Sequence, residues 1–220
     1  MEPYSYDYIH GTDVYLYQRK DMFRVNTDTS LLAGFMRIKE QERVLDIGTN
    51  NGALLCVANQ AKPEWLYGID IQEAAIEVAQ KNMDHHGIHN VTLLCGDVCE
   101  TALPKVDVIV CNPPYFKVNA DRNLNDSASL QMARHERFLT LEKLCAKVSS
   151  LLDEKGRFYL VHRANRITEI LLALKEHRLE ARTLQFVYDE NKEEAISVLV
   201  EAIKDGKANT HVLAPYRIKR

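Results

Sequence analysis

Short apolar runs, most of them closed by a turn residue or an acid, alternate along this chain with longer mixed stretches that read as helices. Arg43 to Gly48 is the first strong strand, and Thr49-Asn-Asn-Gly52 turns it into a helix over Ala53 to Gln60. Trp65 to Asp70 repeats the strand and Gln72 to His86 the helix, with Gly87 placed to end it. Val91 to Asp97 reads as a third strand. The fourth, Val106 to Cys111, stops abruptly at Asn112-Pro113-Pro114-Tyr115. There follow a helix over Leu141 to Leu152, a Lys155-Gly156 turn, a strand over Phe158 to His162 and a helix over Ile167 to His177. Two last strands lie near Leu184 to Tyr188 and Ile196 to Ile203. Only Asp189 to Glu194 joins that pair, too little chain for a helical crossover, so the two are expected to be antiparallel. Strands alternating with helices place the chain in the α/β class, with a mostly parallel sheet.

Ahead of this domain, Tyr4, Tyr6 and Tyr8 alternate, as do Tyr15 and Tyr17, across the turn-like His10-Gly11-Thr12-Asp13, which predicts a β-hairpin. Its five tyrosines serve either as cross-strand pairs or as a surface on which bases stack. A helix begins near Asp28, a residue type suited to an N-cap; a carboxylate placed at the mouth of a crevice is the other reading. The expected organisation is a hairpin appendage over residues 1–21, the main domain over 22–210 and a basic tail over 211–220, for which fraying is the default and RNA contact the alternative. Lys117 to Arg137 is long and polar, and long loops inside compact domains are usually functional. Within it, Arg134 and His135 read either as phosphate-positioning groups or as a solvated helix start.

With 220 residues, 46% of them hydrophobic, the chain can bury one full core. No apolar run approaches the roughly 20 residues that span a bilayer, and the N-terminus lacks the basic and apolar regions of a signal peptide, so a cytoplasmic protein with no membrane contact is expected. Five cysteines with no C-x-x-C pair read as reduced, small hydrophobes. A formal net charge of −3 argues against non-specific coating of nucleic acid. Charge is uneven, though: Lys155 to Arg182 holds seven bases and three acids, which predicts a basic face. His85, His86 and His89 cluster without partners at ligand spacing, so no metal site is expected.

Three strand ends carry acids: Asp46, Asp70 and Asp97. With the turn Gly48-Thr-Asn-Asn-Gly52, they describe a carboxylate-lined crevice at the carboxyl edge of a parallel sheet. A dinucleotide fits poorly, because the spacing is G-x-x-x-G and Asp46 would repel a pyrophosphate. Asp70 lies 22 residues after Gly48, the interval of an acid that holds ribose hydroxyls. S-adenosylmethionine, an adenosine bearing an ammonium and a sulfonium, suits that crevice.

The corner at Asn112 supplies the second half of the chemistry. Two successive prolines remove two N–H groups and stiffen the backbone, leaving carbonyls that the sheet does not use. With the Asn112 side-chain carbonyl they can accept both hydrogens of a planar NH2 group, while Tyr115 and Phe116 offer faces for a flat substrate. Holding those hydrogens raises electron density on a delocalised nitrogen and aims it at an electrophilic methyl.

Together these residues resemble the class I S-adenosylmethionine-dependent methyltransferases, and Asn-Pro-Pro-Tyr resembles the branch acting on planar nitrogens. Phe23-x-x-Asn-Thr-Asp-Thr-Ser-Leu-Leu-Ala-Gly-Phe35, Asn112-Pro-Pro-Tyr-Phe116, Ala133-Arg-His-Glu136 and Gly156-Arg-Phe-Tyr-Leu-Val-His-Arg163 narrow the resemblance to the bacterial tRNA1(Val) adenine-37 N6-methyltransferase family. It implies a Rossmann-like α/β fold whose mostly parallel seven-stranded sheet has an antiparallel last strand, preceded by the N-terminal β-hairpin. It implies that Asp28, Asp46, Gly48, Asn50, Gly52, Asp70, Ile71, Asp97, Val98 and Asn112 border S-adenosylmethionine. Asn112 and the Pro113 carbonyl would hold the target amine, Tyr115 would stack on the base, and Pro114, Phe116, Arg134 and His135 would line the substrate side. Asn50 stands where many relatives have glycine; asparagine tolerates the left-handed conformation, so the turn is expected to survive.

The expected activity is therefore methylation of an RNA adenine by a monomer that needs tRNA and no metal. A guanine-N2 rRNA enzyme or a protein glutamine-N5 enzyme would use the same corner, since it specifies a planar NH2 group and not its owner. A non-catalytic cofactor-binding scaffold is the rival of another class; damage to the corner or loss of the carboxylates would mark it, and all are present.

Overall fold

In the computed structural model, residues 4–113 and 139–219 are described. Parallel strands β3 (Arg43–Ile47), β4 (Trp65–Asp70), β5 (Val91–Cys95), β6 (Val106–Cys111) and β7 (Leu152–Arg163) form the centre of one sheet, closed on one side by β8 (Leu179–Asp189) and β9 (Ala195–Lys204). The order across it is β5-β4-β3-β6-β7-β9-β8, and β9 runs antiparallel to both neighbours. The hairpin strands β1 (Tyr4–Tyr8) and β2 (Tyr15–Arg19) make a separate two-stranded sheet.

Central parallel strands bury both faces, so successive residues face opposite cores. Leu45, Ile47, Ile109, Cys111, Phe158 and Leu160 pack with helices α4 (Leu141–Leu151) and α5 (Ile167–Glu176) through Leu144, Val148, Ile170 and Leu174. Val44, Val108, Val110, Tyr159 and Val161 face the other way, onto α1 (Thr27–Phe35), α2 (Ala53–Asn59) and α3 (Glu73–His85) through Leu32, Leu55 and Met83. Alternation along β6 places Asn112, two residues beyond Val110, on the α1 side.

Several boundaries depart from expectation for identifiable reasons. Helix α1 is capped by Asn26, whose side chain accepts from the Thr29 N–H; Asp28 is the second helical residue, and its carboxylate takes the Ser197 hydroxyl at 2.8 Å instead. The expected Lys155-Gly156 turn is an excursion inside β7: Lys155 sits at φ 63°, and pairing with β6 jumps from Val106↔Leu152 to Val108↔Arg157. The tail is not wholly frayed. Two short strands, β10 (His211–Val212) and β11 (Tyr216–Ile218), pair in parallel with β8, raising the sheet to nine strands among the described residues, and Arg217 lies over the Tyr188 ring.

The hairpin docks through buried polar groups. Asn82, fully buried on α3, accepts from the Tyr17 N–H at 2.7 Å and donates to the Tyr17 and Asn51 carbonyls at 2.9 Å each. Gln18, also buried, accepts from the Val25 N–H at 2.6 Å and donates to Asp7 at 2.8 Å. Its tyrosines pair across the strands, Tyr6 stacking on Tyr15 and Lys81 lying over the Tyr4 and Tyr17 rings.

Replacing Asn82 by alanine strands one backbone N–H and two carbonyls in a buried site, so Asn82→Ala should destabilise the fold by about 3 kcal/mol. Urea denaturation reads this directly, and an unchanged midpoint would show that the hairpin is held by other contacts.

Candidate active site

The carboxyl edge of β3 and β4 is built as a set of anchored turns. After β3, the Gly48 and Thr49 N–H groups both donate to the Ile69 carbonyl, at 2.9 and 3.0 Å. Gly48, Asn50 and Gly52 take positive φ values of 73°, 49° and 76°. Asn50 therefore adopts the left-handed conformation that its position demands, and its side chain donates to the Phe23 carbonyl at 2.7 Å. Gly52 is needed on a second count: a Cβ there would meet the Met83 methyl at 2.9 Å and the Ala79 Cβ at 3.3 Å.

Asp70, at the end of β4, ties two turns together. One carboxylate oxygen accepts the Asn50 N–H and the other the Gln72 N–H, each at 3.0 Å. A carboxylate oxygen can accept more than one hydrogen bond, so these two bonds do not use up the acceptor capacity of Asp70. Next along the edge, the Gly96 N–H donates to the Asp70 carbonyl at 2.9 Å, carrying the chain to Asp97. Asp97 is exposed and accepts the Cys99 N–H at 2.8 Å, so part of its carboxylate closes its own turn. Val98 is buried beside it, whereas Ile71 leaves an apolar side chain exposed on the same edge.

Asp46 is different in kind. It is 1% exposed, and neither its Oδ1 nor the buried Thr49 hydroxyl has a hydrogen-bond partner among the described residues. Burial pushes its carboxyl up to about 7, the charge of Asp70 adding to it. Two orphaned polar atoms at one ligand-facing edge carry a cost that a bound polar group removes, and a buried acid beside a second acid favours a cation. The residues present therefore fit S-adenosylmethionine, with Asp46 and Asp70 as the groups that would hold it.

On the far side of β3, β6 brings Asn112 to the same edge: Ile47 pairs with Cys111, which sets Asn112 level with Gly48. The Asn112 side-chain amide donates to the Thr29 hydroxyl at 3.0 Å. Thr29 is buried and donates in turn to Asn26 Oδ1 at 3.1 Å. Asp28 is thus close to the corner in sequence, while its carboxylate accepts from Ser197 of β9. His162, buried near the end of β7, accepts the Arg163 N–H on Nδ1, and burial lowers its pKa to about 4, so it is a neutral imidazole with its proton on Nε2.

The structure so brings together Asp46, Gly48, Asn50, Gly52, Asp70, Ile71, Asp97, Val98, Asn112 and Pro113 along one sheet edge, whereas Asp28 lies on α1 with its carboxylate on Ser197 of β9. Pro114, Tyr115, Phe116, Arg134 and His135 lie outside the described residues. Sequence reasoning did not single out Thr29, Gln18, Asn51 or Asn82. For Thr29 a signal existed, since Asn26 and Thr29 stand at the spacing of an N-cap and the N–H it satisfies; the other three are revealed only by partners distant in sequence.

A family model described as a methyltransferase domain matches residues 38–213. A Porphyromonas gingivalis protein named tRNA1(Val) (adenine(37)-N6)-methyltransferase is 30% identical over 197 residues, covering 79% of this chain and 76% of that protein. A protein of the same name from a Flavobacteriaceae bacterium is 31% identical over 147 residues, covering 66% of this chain and 61%, less than two thirds, of that protein. Among solved structures, a predicted O-methyltransferase from Agrobacterium tumefaciens matches with a TM-score of 0.67 over 87% of both chains at 20% identity, a likeness of fold. No helix among the described residues is long and apolar enough to cross a membrane.

The raised Asp46 pKa has a measurable consequence for the ligand-free protein. Between the ordinary value of 3.8 and about 7 the folded chain keeps a proton that the unfolded chain has released, so the stability this group contributes falls as pH rises through that window. Thermal unfolding from pH 5 to 8 should show wild type losing more stability than Asp46→Asn; parallel pH profiles would refute the assignment.

Proposed function

This chain belongs to the S-adenosylmethionine-dependent methyltransferase family, with curated relatives named tRNA1(Val) (adenine(37)-N6)-methyltransferases, and from that premise we propose that it methylates the exocyclic N6 of adenine 37 in a valine tRNA. The observation that carries this reading is the placement of Asn112 and Pro113 level with the cofactor turn, with the Asn112 amide nitrogen bonded to Thr29.

S-adenosylmethionine, when bound, supplies an electrophilic methyl group on its sulfonium. The chain's residues do the rest by holding and aiming. Asp70 would take the ribose hydroxyls and Asp46 the ammonium, while Ile71 and Val98 would border the adenine side near Asp97. Asn112 Oδ1 and the Pro113 carbonyl each accept one N6 hydrogen of the target base. That orients the nitrogen lone pair and returns to nitrogen some of the density it shares with the ring, an effect of positioning and electrostatics. The surplus proton leaves after methylation, from a cationic nitrogen, so neither residue has to act as a base. Tyr115 would stack on the base, Pro114 and Phe116 would line the substrate side, and Arg134 and His135 would border its phosphates. An anticodon loop suits this site because its bases can be turned out at less cost than those of a duplex. One chain supplies every group invoked, in keeping with a monomer.

Asn112→Ala should lower turnover by about 100-fold or more and leave S-adenosylmethionine affinity within a few-fold of wild type. Both are read with unmodified tRNA, by nucleoside mass spectrometry and by calorimetry. Wild-type turnover in the variant would sink this mechanism. Appearance of N2-methylguanosine, or of methylated protein in place of methylated RNA, would transfer the chemistry to another substrate.

A further inference from the structure

A side-chain amide can present either end to a target, and only one end is useful here. If the Asn112 NH2 faced the adenine amine, two donors would meet and the clamp would repel its substrate. The rest of the corner decides the orientation, through three hydrogen bonds that each have one permitted direction. The Thr29 backbone N–H can only donate, and it donates to the Asn26 side chain at 2.9 Å, which makes that atom the Asn26 oxygen. The same oxygen lies 3.1 Å from the Thr29 hydroxyl and has no proton to give, so the hydroxyl proton points at Asn26. What the hydroxyl then offers Asn112, 3.0 Å away, is a lone pair, and Asn112 must present its NH2 to it. The carbonyl of Asn112 is thereby left on the opposite side of the amide.

From this relay we infer that Thr29 is a positioning residue for methyl transfer, and that the N-cap of α1 sets the polarity of the amine clamp. Thr29 is 7% exposed, so water is poorly placed to substitute for it, and Asn26 does double duty by capping the helix with the atom that orients the hydroxyl. The effect operates through Asn112 and does not require Thr29 to touch substrate or cofactor. It rests on the proposed role of Asn112 as an acceptor for the target amine.

The test is a set of variants in the intact protein: Thr29→Val, which keeps the shape and removes the hydroxyl, Thr29→Ser, which restores it, Asn112→Ala, and the Thr29→Val/Asn112→Ala double. Thr29→Val should lower kcat about 10- to 100-fold, with the tRNA KM and S-adenosylmethionine affinity within about threefold of wild type. Thr29→Ser should recover most of the lost kcat. The double variant should be no slower than Asn112→Ala alone, because an orienting group has nothing left to orient. A Thr29→Val enzyme with wild-type kcat would overturn the inference, as would a Thr29→Ser enzyme as slow as Thr29→Val or losses that multiply in the double variant. Should Asn112→Ala itself retain wild-type kcat, the underlying reading of the corner fails; if only Asn112→Ala is impaired, that reading stands and the Thr29 relay falls alone.

Discussion

The carboxylate of Asp70 is the constraint on which the functional edge depends. By accepting the Asn50 and Gln72 N–H groups it fixes the turn after β3 and the turn after β4 at once, before any ligand arrives. It also places a negative charge beside buried Asp46, which raises the proton affinity of that group. Neighbouring acids and unpartnered buried oxygens lower the stability of the ligand-free chain, and they do so where a cationic ligand would relieve them. The two cores flanking the sheet supply the stability that allows such an edge to persist. Preorganisation of this kind costs nothing further when the ligand binds, because the turns need no rearrangement.

Much of this was legible in the chain because central parallel strands are buried on both faces and therefore read as apolar runs. Val106 to Cys111 is such a run, and its end at a proline pair was as plain as its beginning. The antiparallel β8 and β9 followed from a link too short for a crossover. Where the reading failed, the deciding partner was distant. Asn26 and Asp28 are both good capping residues, and nothing local chooses between them; Ser197, 169 residues away, accepts neither role but occupies Asp28 and leaves the cap to Asn26. Strands β10 and β11 are mostly exposed and carry no apolar alternation, so only their pairing with β8 identifies them. Leu152 reads as the end of a helix and is also the start of β7.

The site divides the same way. Acids at strand ends, the glycine turn and the Asn112 corner announce themselves by residue type and position. The polar residues that hold them do not. Asn82 looks like an ordinary surface residue of an amphipathic helix, yet it is fully buried and joins α3 to both β2 and the turn after β3. The hairpin tyrosines are placed by partners of both kinds: Tyr6 stacks on Tyr15 across the strands, and Lys81 of α3 lies over Tyr4 and Tyr17.

Strands β4, β3 and β6 stand side by side at about 4.8 Å spacing, so Asp70, Asp46 and Asn112 lie within two strand widths of each other by topology alone. Proximity is not orientation, however, and the segment from Phe23 to Thr29 supplies the difference. Its Phe23 carbonyl holds the Asn50 side chain, its Val25 N–H is held by Gln18 of the hairpin, Asp28 binds β9, and Thr29 binds Asn112. Four separate elements are thus referenced to one short stretch leading into a helix. A displacement of that stretch would move the turn after β3 and the Asn112 corner together, preserving their relation to each other. In-line transfer between a held donor and a held acceptor is sensitive to shifts of about 1 Å, so a shared mount is of more use to the proposed reaction than stiffness in either half alone.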